Sequence, residues 1–483
     1  MSDDGSKNEL SKKRIHFVGI GGAGLSAIAR VLMERGAPVS GSDLVLSPVA
    51  QALARDGARV VAGHKPDNVS GAELVVVSSA VPEGNVEVAA AEKAGIPVLR
   101  RPAFLAKMMN GKLGIAVAGT HGKTTTTAMI ASILMEAGLD PTFIVGGVIG
   151  GLETNARAGG GPHFVIEADE YDRTFLSLKP NVAVVTNVEH DHPDCYPTPE
   201  EFNEAFREFV ELVPKDGLLV ACWDNAAARE IAEARRKSGG RVVFFGLGEG
   251  AEWRAEEVRP NFAGGVDMLA TRGGETLGLV RLRQPGAHNA SNGMAALAVA
   301  DYLGIPFQVA RKALTEFRGV GRRFEVKGEA EGVTVVDDYA HHPTEIRATL
   351  EGARGRYEHR PLWAVWQPHT YSRTKALLDE FAEAFELSDH VIILPIYASR
   401  ESDALGIRSE DVKEAMSHPD VRVAESMDEA VVWLATEAFA DDVVLTLGAG
   451  DGYLVGEWLL EALHFAGVGV GKVEVAASER SVA

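Results

Sequence analysis

Two cysteines in 483 residues, Cys195 and Cys222, leave no material for a disulfide framework or a cysteine-ligated metal. Without such staples the expected compartment is the reducing cytoplasm. Basic residues are also scarce: 48 Lys and Arg stand against 68 Asp and Glu, for a net charge of −20. That balance argues against a nucleic-acid partner, because attraction to a phosphate backbone needs a basic surface. It does not argue against a small phosphate ligand, which a few local cations and backbone N–H groups can hold. Long apolar runs are missing too. Met1 to Lys13 is polar and has no signal core, and no run is long enough to span a bilayer, so no membrane partner is expected. Hydrophobic residues make up 46% and charged residues 24%, a globular composition in a chain long enough for two or three cores. Residues 1–12 and about the last ten read as loose tails.

The stretch around Gly119 organises what is present. Leu113 to Ala118 is an apolar run that reads as a buried strand, and Gly119, Thr120, His121 and Gly122 form a tight turn. From Lys123 the pattern becomes helical, with Met129, Ile130, Ile133 and Leu134 as its apolar positions. Strand, glycine turn and helix N-terminus together make an anion site, with backbone N–H groups and the helix dipole both favouring phosphate. In such a loop Lys123 reaches the β- and γ-phosphates, and the hydroxyl of Thr124 or Thr125 sits on Mg²⁺. The first glycine of the usual G-x-x-x-x-G-K-T spacing would fall on Val117, so the form here is the shorter Gly-Thr-His-Gly-Lys-Thr.

Residues 13–110 read as a first domain. Ile15 to Val18 enters a turn in which Gly19, Gly21 and Gly24 fit G-x-G-x-x-G, with Gly22 between them. Helix Ala23 to Arg35 and a second strand ending at Asp43 complete a βαβ unit with an acidic residue in the dinucleotide position. Short strands near Arg59–Val61, Leu74–Ser78 and Pro97–Leu99 alternate with helices near Ser47–Asp56 and Asn85–Ala94. The room suits one nucleotide diphosphate better than a dinucleotide with a redox domain behind it. Ser79 lies just past a strand end, where α/β ligand sites form.

Residues 111–321 read as a second domain. Val145 to Gly151 is glycine-rich and is expected to be a flexible loop near the site. The strand Phe164 to Ala168 delivers Glu167, followed by Asp169, Glu170 and Asp172; the strand Val182 to Asn187 delivers Glu189, Asp191 and His192. Two acidic runs after two apolar strands suit Mg²⁺, with Glu167 as one ligand and His192 or Asp191 reaching the same ion. Phe202 to Val213 is an amphipathic, structural helix, and residues 252–284 suggest hairpins. His288, Asn289 and Asn292 lie within about one helical turn and offer an adenine edge polar partners.

Residues 322–483 read as a third domain. Arg322 and Arg323, flanked by Gly321 and Phe324, sit at the boundary and suit a polyphosphate bridging domains. Strands Val333–Val336, Leu362–Trp366, His390–Leu394 and Val443–Leu447 each end in polar residues. Asp338, Tyr339 and His342 follow the first; His369, Thr370 and Arg373 follow the second. That is the ligand crevice of an open, mostly parallel sheet.

The turn Gly119–Thr125 resembles the ATP loop of the Mur ligases and folylpolyglutamate synthetases. The further motifs at Gly19–Gly24, Glu167–Glu170, Asn187–His192, His288–Asn292, Gly321–Phe324, Asp337–Pro343 and Thr446–Asp451 are, in order along nearly the whole chain, similar to the Mur ligase family, in its branch that joins L-alanine to UDP-N-acetylmuramate. The resemblance implies a cytoplasmic ligase of peptidoglycan precursor synthesis, using ATP and Mg²⁺, monomeric or weakly dimeric. It implies an α/β fold of three domains: a Rossmann-like UDP-sugar domain, a central P-loop ATPase-like domain and a Rossmann-like C-terminal domain. It assigns residues 119–125, with His288, Asn289, Asn292, Asp338 and Arg323, to ATP. It assigns Lys123, Glu167, His192 and Arg323 to catalysis, and Thr124, Glu167 and His192 to the metal. The first glycine turn (Gly19, Gly21, Gly22, Gly24), Asp43 and Ser79 would hold the UDP-sugar, and Arg373, His342 and Tyr339 the amino acid.

Overall fold

The computed structural model describes residues 10–467. The tails expected at 1–9 and in the last ten residues lie outside them. Residues 10–12, read as part of the first tail, instead form a turn in which Lys13 N–H donates to the Leu10 carbonyl at 3.2 Å, and Leu10 is buried in the first core. Three sheets follow one another along the chain and give three α/β domains. Among the described residues no helix is long and apolar enough to cross a membrane.

The first sheet is all parallel. Its order is Arg59–Ala62, Val39–Asp43, Ile15–Val18, Leu74–Val77, Val98–Arg100. The chain winds outward from the central strand Ile15–Val18 first to one side and then to the other, so the glycine turn after Val18 sits at the point where the order reverses. Helix Ala23–Glu34 starts there, with Gly22 as an N-cap that has no capping side chain.

The central sheet has ten strands. Strand Leu113–Ala118 lies between Val182–Val185 and His163–Glu167, parallel to both. This places the two acidic strand ends on either side of the phosphate turn. Trp253–Pro260, Val266–Arg272 and Glu275–Arg281 extend one edge as an antiparallel meander, the hairpins expected in 252–284. Helix Lys123–Glu136 is enclosed by helices Ala287–Tyr302 and Phe307–Glu316; ten of its residues, including Thr124–Thr127, are buried. The expected loop at Val145–Gly151 is corrected: residues up to Ile149 belong to strand Thr142–Ile149. Glycine serves close approach here, not flexibility. A Cβ on Gly146 would lie 2.5 Å from Glu167 Oε2, and one on Gly147 2.6 Å from Val320 Cγ1.

The third sheet runs Glu325–Ala330, Val333–Asp338, Val443–Leu447, Leu362–Trp366, His390–Ile393, Val421–Val423, with only the first strand antiparallel. Its four polar strand ends face the central domain across a cleft.

Candidate active site

The phosphate turn is built by backbone geometry and then fastened from a neighbouring strand end. Gly122 has φ +77° as the N-cap of helix Lys123–Glu136, with no side chain capping the first turn. The N–H groups of that turn are therefore left for a ligand. At Gly119, φ +141°, a Cβ would overlap the Thr186 hydroxyl. His121 N–H donates to Asn187 Oδ1 at 2.8 Å, the Thr186 hydroxyl donates to the His121 carbonyl at 2.5 Å, and the Thr120 hydroxyl donates to the Glu189 carbonyl at 2.8 Å. Lys123 Nζ donates to the carbonyls of Gly119 and Thr120 at 2.6 and 3.0 Å, and to Glu170 Oε1 at 2.8 Å. Burial works against its charge, but Glu170 and Glu167 outweigh burial and raise its pKa.

Thr124 and Glu167, both expected at the metal, meet: the Thr124 hydroxyl donates to Glu167 Oε1 at 3.0 Å, and Gly146 N–H donates to Oε2 at 2.8 Å. Burial pushes the Glu167 carboxyl up, with Lys123 and Arg323 opposing it. A hydroxyl and a carboxylate at a helix N-terminus form an oxygen donor set that fits Mg²⁺. His192, in the left-handed region at φ +56°, stands not on Glu167 but on Glu170, with Nε2 3.5 Å from Oε1. Among the described residues, the group of three titratable side chains with ligand atoms within 4.8 Å of one another is His121, Glu189 and His342.

Beside the phosphate turn is a pocket lined by His121, Thr125, His288, Asn289, Asn292, Arg323, Asp338 and Glu345, among others. Asn289 Nδ2 donates to the Pro285 carbonyl at 2.7 Å and Asn292 Nδ2 to Asn289 Oδ1 at 3.3 Å. Burial lowers the His288 pKa to about 4, so a neutral imidazole faces the pocket. Asp338 accepts the N–H groups of Phe324 and Ala340, both at 2.8 Å; burial raises its carboxyl to about 7. The two arginines at the domain boundary part company. Arg322 ties the third domain together through Asp337 at 3.0 Å and the carbonyls of Gly448 and Gly450. Arg323 lies between two left-handed residues, Arg322 and Phe324, and projects into the cleft, 3.7 Å from Glu345.

A second cavity joins all three domains. It is lined by Ala23 and Gly24 of the first; Lys123, Thr124, Glu167 and His192 of the second; and Tyr339, His341, His369 and Arg373 of the third. Arg373 Nε donates to Asp191 Oδ1 at 2.8 Å, with both side chains buried, and Nη1 donates to the His369 carbonyl at 3.2 Å. Burial opposes ionisation of Asp191, but Arg373 outweighs it and holds the carboxyl well below the usual range. His342 does not line this cavity. Its Nδ1 accepts Thr344 N–H as the N-cap of helix Pro343–Arg356, and its ring lies 4.7 Å from that of His121. The neighbouring His341 takes the cavity position.

In the first domain Asp43 acts as a tether for the glycine turn, accepting Gly21 and Leu44 N–H at 2.8 Å each. Ser79 is half-buried in the turn after strand Leu74–Val77.

Several residues of the cleft carried no individual signal in the sequence. Glu170 was one of four acids in a run, and its pairing with Lys123 is a contact over 47 positions. Glu345 lies on a helix one turn past the histidines, yet it meets His121 Nδ1 at 3.2 Å from across the cleft. Arg101, at the start of helix Arg101–Met109, donates to Asp169 at 2.9 Å. The usable signal for the first two was an unexplained carboxylate beside a motif; Arg101 had none.

Three family models match in sequence order: the Mur ligase family catalytic domain over residues 14–113, the Mur ligase middle domain over 117–300, and the Mur ligase glutamate ligase domain over 322–450. A UDP-N-acetylmuramate–L-alanine ligase of Caldanaerobacter subterraneus subsp. tengcongensis is 43% identical over 93% of this chain and 97% of its own length. Among solved structures, a UDP-N-acetylmuramate-alanine ligase from Thermotoga maritima superposes with a TM-score of 0.79 at 28% identity, covering 94% of this chain and all of the other. A murein peptide ligase from Psychrobacter arcticus gives 0.69 at 27% identity, covering 93% and 98%. The phosphate turn flanked by two acidic strand ends, the three-domain cavity, the three family models and 43% identity to a relative over nearly the full length agree, and the chain belongs to the Mur ligase family.

Proposed function

We propose that this protein is an ATP-dependent ligase that joins L-alanine to the carboxylate of UDP-N-acetylmuramate, releasing ADP and phosphate, in cytoplasmic peptidoglycan precursor synthesis. The observation that carries this reading is the cavity shared by the first domain's glycine turn, the phosphate turn and Arg373. On this reading one acid, one nucleotide and one amino acid would meet at a single point, and the domain divisions would fall near residues 110 and 321. The names of the relatives support the same substrates.

A carboxylate acylates poorly because oxide is a hopeless leaving group. Its oxygen attacks the γ-phosphorus of ATP, ADP departs, and an acyl phosphate forms. The neutral amine of L-alanine then adds to the acyl carbon, the added nitrogen gives up a proton to the departing phosphate or to water, and phosphate leaves from the tetrahedral intermediate. Most of the protein's contribution is positioning and charge neutralisation. Lys123 and the first turn of its helix face the moving phosphoryl group. The neutral His288, with Asn289 and Asn292, offers hydrogen bonds to the base, and Asp338 accepts from the ribose. Thr124 and Glu167, with His192 near the acid, are the residues that would hold Mg²⁺, whose charge would offset that of the phosphates. Arg373 takes the carboxylate of alanine. Burial lowers His341 to about 3 and His369 to about 4, so both rings stay neutral and do not repel the amino group. Water is excluded by closure of the third domain onto the second.

The test is phosphate release from Mg²⁺–ATP with UDP-N-acetylmuramate present, screened against L-alanine, L-serine, glycine and a tripeptide. L-Alanine should give the highest kcat/KM. Release that needs neither an amino acid nor the UDP-sugar would defeat the proposal, and preference for the tripeptide would assign the protein to the peptide-ligating branch.

A further inference from the structure

The first domain contributes five residues to the three-domain cavity: Ala23, Gly24, Ile28, Leu105 and Arg101. Four are apolar or lack a side chain, so Arg101 is the one charge this domain places there. Its guanidinium is only partly occupied. Nη2 donates to Asp169 Oδ2 at 2.9 Å, whereas Nε is buried without a hydrogen-bond partner. A guanidinium carries five N–H donors in a fixed fork, and an enclosed N–H that lacks an acceptor costs free energy that a ligand oxygen would recover. The guanidinium also lies against the glycine turn. A Cβ on Gly24 would fall 2.5 Å from Nη1, so any side chain at this position would displace the cation.

We propose that Arg101 binds anionic oxygens of the UDP-sugar where that substrate crosses from the first domain to the phosphate turn. This rests on the function proposed above. The other lysine and arginine side chains of the cavity belong to the second and third domains: Lys123 on Glu170, Arg373 on Asp191, and Arg323 near Glu345. Arg101 is the one of these that lies against the first glycine turn, where a nucleoside-diphosphate sugar acid would be held. A fork with an unpartnered Nε–H matches either a diphosphate or a carboxylate, and Asp169 holds the guanidinium in place for it.

The experiment is calorimetric titration of the full-length protein, without ATP, using UDP and UDP-N-acetylmuramate as separate ligands. Wild type is compared with Arg101→Met and Arg101→Lys, and ATP is titrated into each as a control. Arg101→Met should weaken UDP-N-acetylmuramate by about 10–150-fold, the range for a hydrogen bond to a charged group. Arg101→Lys should fall in between, because it keeps the charge and loses the fork. Weakening of both ligands places the contact on the diphosphate; weakening of UDP-N-acetylmuramate alone places it on the carboxylate. Wild-type affinity for both in Arg101→Met overturns the inference. So does an equal loss of ATP affinity, which would mean that the substitution merely deforms the cavity. Should Arg101→Met fail to fold, Arg101→Lys carries the same comparison. If the wild type neither binds UDP-N-acetylmuramate nor turns it over with L-alanine, the proposed function itself has failed, whatever Arg101 does.

Discussion

Replacing Arg373 by alanine removes one end of a buried ion pair and, on the proposed function, one ligand of the amino acid. The two consequences have different sizes and different readouts. Asp191 and Arg373 have side chains 4% and 5% exposed, and breaking an enclosed pair from one side costs on the order of 3–5 kcal/mol. Asp191 keeps the His192 N–H at 2.7 Å and the His192 ring at 3.7 Å, which favours the lower end. Because Asp191 belongs to the central domain and Arg373 to the third, that cost falls on domain closure and lowers thermal stability. Loss of a charged hydrogen bond to the alanine carboxylate adds about 1.5–3 kcal/mol, so the KM for L-alanine should rise by about 10–150-fold. The assay is phosphate release against L-alanine concentration, together with hydroxylamine trapping of the acyl phosphate without amino acid. Trapping should persist in the variant, since that step does not need the amine. Asp191→Asn separates the effects, because it breaks the same pair and leaves the guanidinium. If Asp191→Asn raises the KM for L-alanine as much as Arg373→Ala does, Arg373 is a strut between domains and not a clamp. If the KM for ATP rises while that for L-alanine holds, Arg373 is a phosphate ligand.

Lys123→Ala should lower kcat by about 10²–10³-fold, the cost of removing one preorganised charge from a transition state; near-normal turnover would remove Lys123 from the reaction. Glu167→Gln and His192→Ala should each raise the Mg²⁺ concentration needed for half-maximal activity, and an unchanged Mg²⁺ dependence in both would make that cluster structural. At His121 burial favours the neutral ring, but Glu345 and Glu189 outweigh it and raise the pKa to about 9. A group raised on folding stabilises fully below its unfolded value of about 6.5 and loses that contribution as pH climbs through about 9. Thermal melting should therefore fall across that window in the wild type and more shallowly in His121→Asn, and parallel slopes would show that the cluster adds nothing to stability.

The parts of this site that could be read from the sequence are those whose geometry is local. Gly119 and Gly122 announce a turn because the backbone needs positive φ there, and Glu167 announces itself by ending an apolar strand. Local spacing does not say which side chain meets which across a sheet or a cleft. His341 and His342 are adjacent, and only the capping of helix Pro343–Arg356 decides that the second turns away. Gly146 and Gly147 look like a flexible loop until Glu167 and Val320 are seen to occupy the space that their side chains would fill. Arg101 and Glu345 had no periodic or spacing signal, because their partners come from other domains.

Those distant pairings share a pattern. Each lysine and arginine lining the cavity stands opposite an acid: Lys123 with Glu170, Arg101 with Asp169, Arg373 with Asp191, and Arg323 with Glu345. All four acids lie just beyond apolar strand ends or at a helix start, so they are carried by the same elements that shape the cavity. Four bare cations converging on one cavity would repel one another, and the protein as a whole carries a charge of −20, so local acids are the available counter-charge. Their effect on ligands is to moderate affinity. An incoming phosphate or carboxylate must share or displace a carboxylate already in place and gains only the difference between the two. That suits a reaction in which one phosphoryl group is handed between two anions and all three products must leave. It also sets the salt response. Because Lys123–Glu170 and Arg373–Asp191 are enclosed, added salt screens them weakly, and substrate KM values should change far less with ionic strength than surface steering would require.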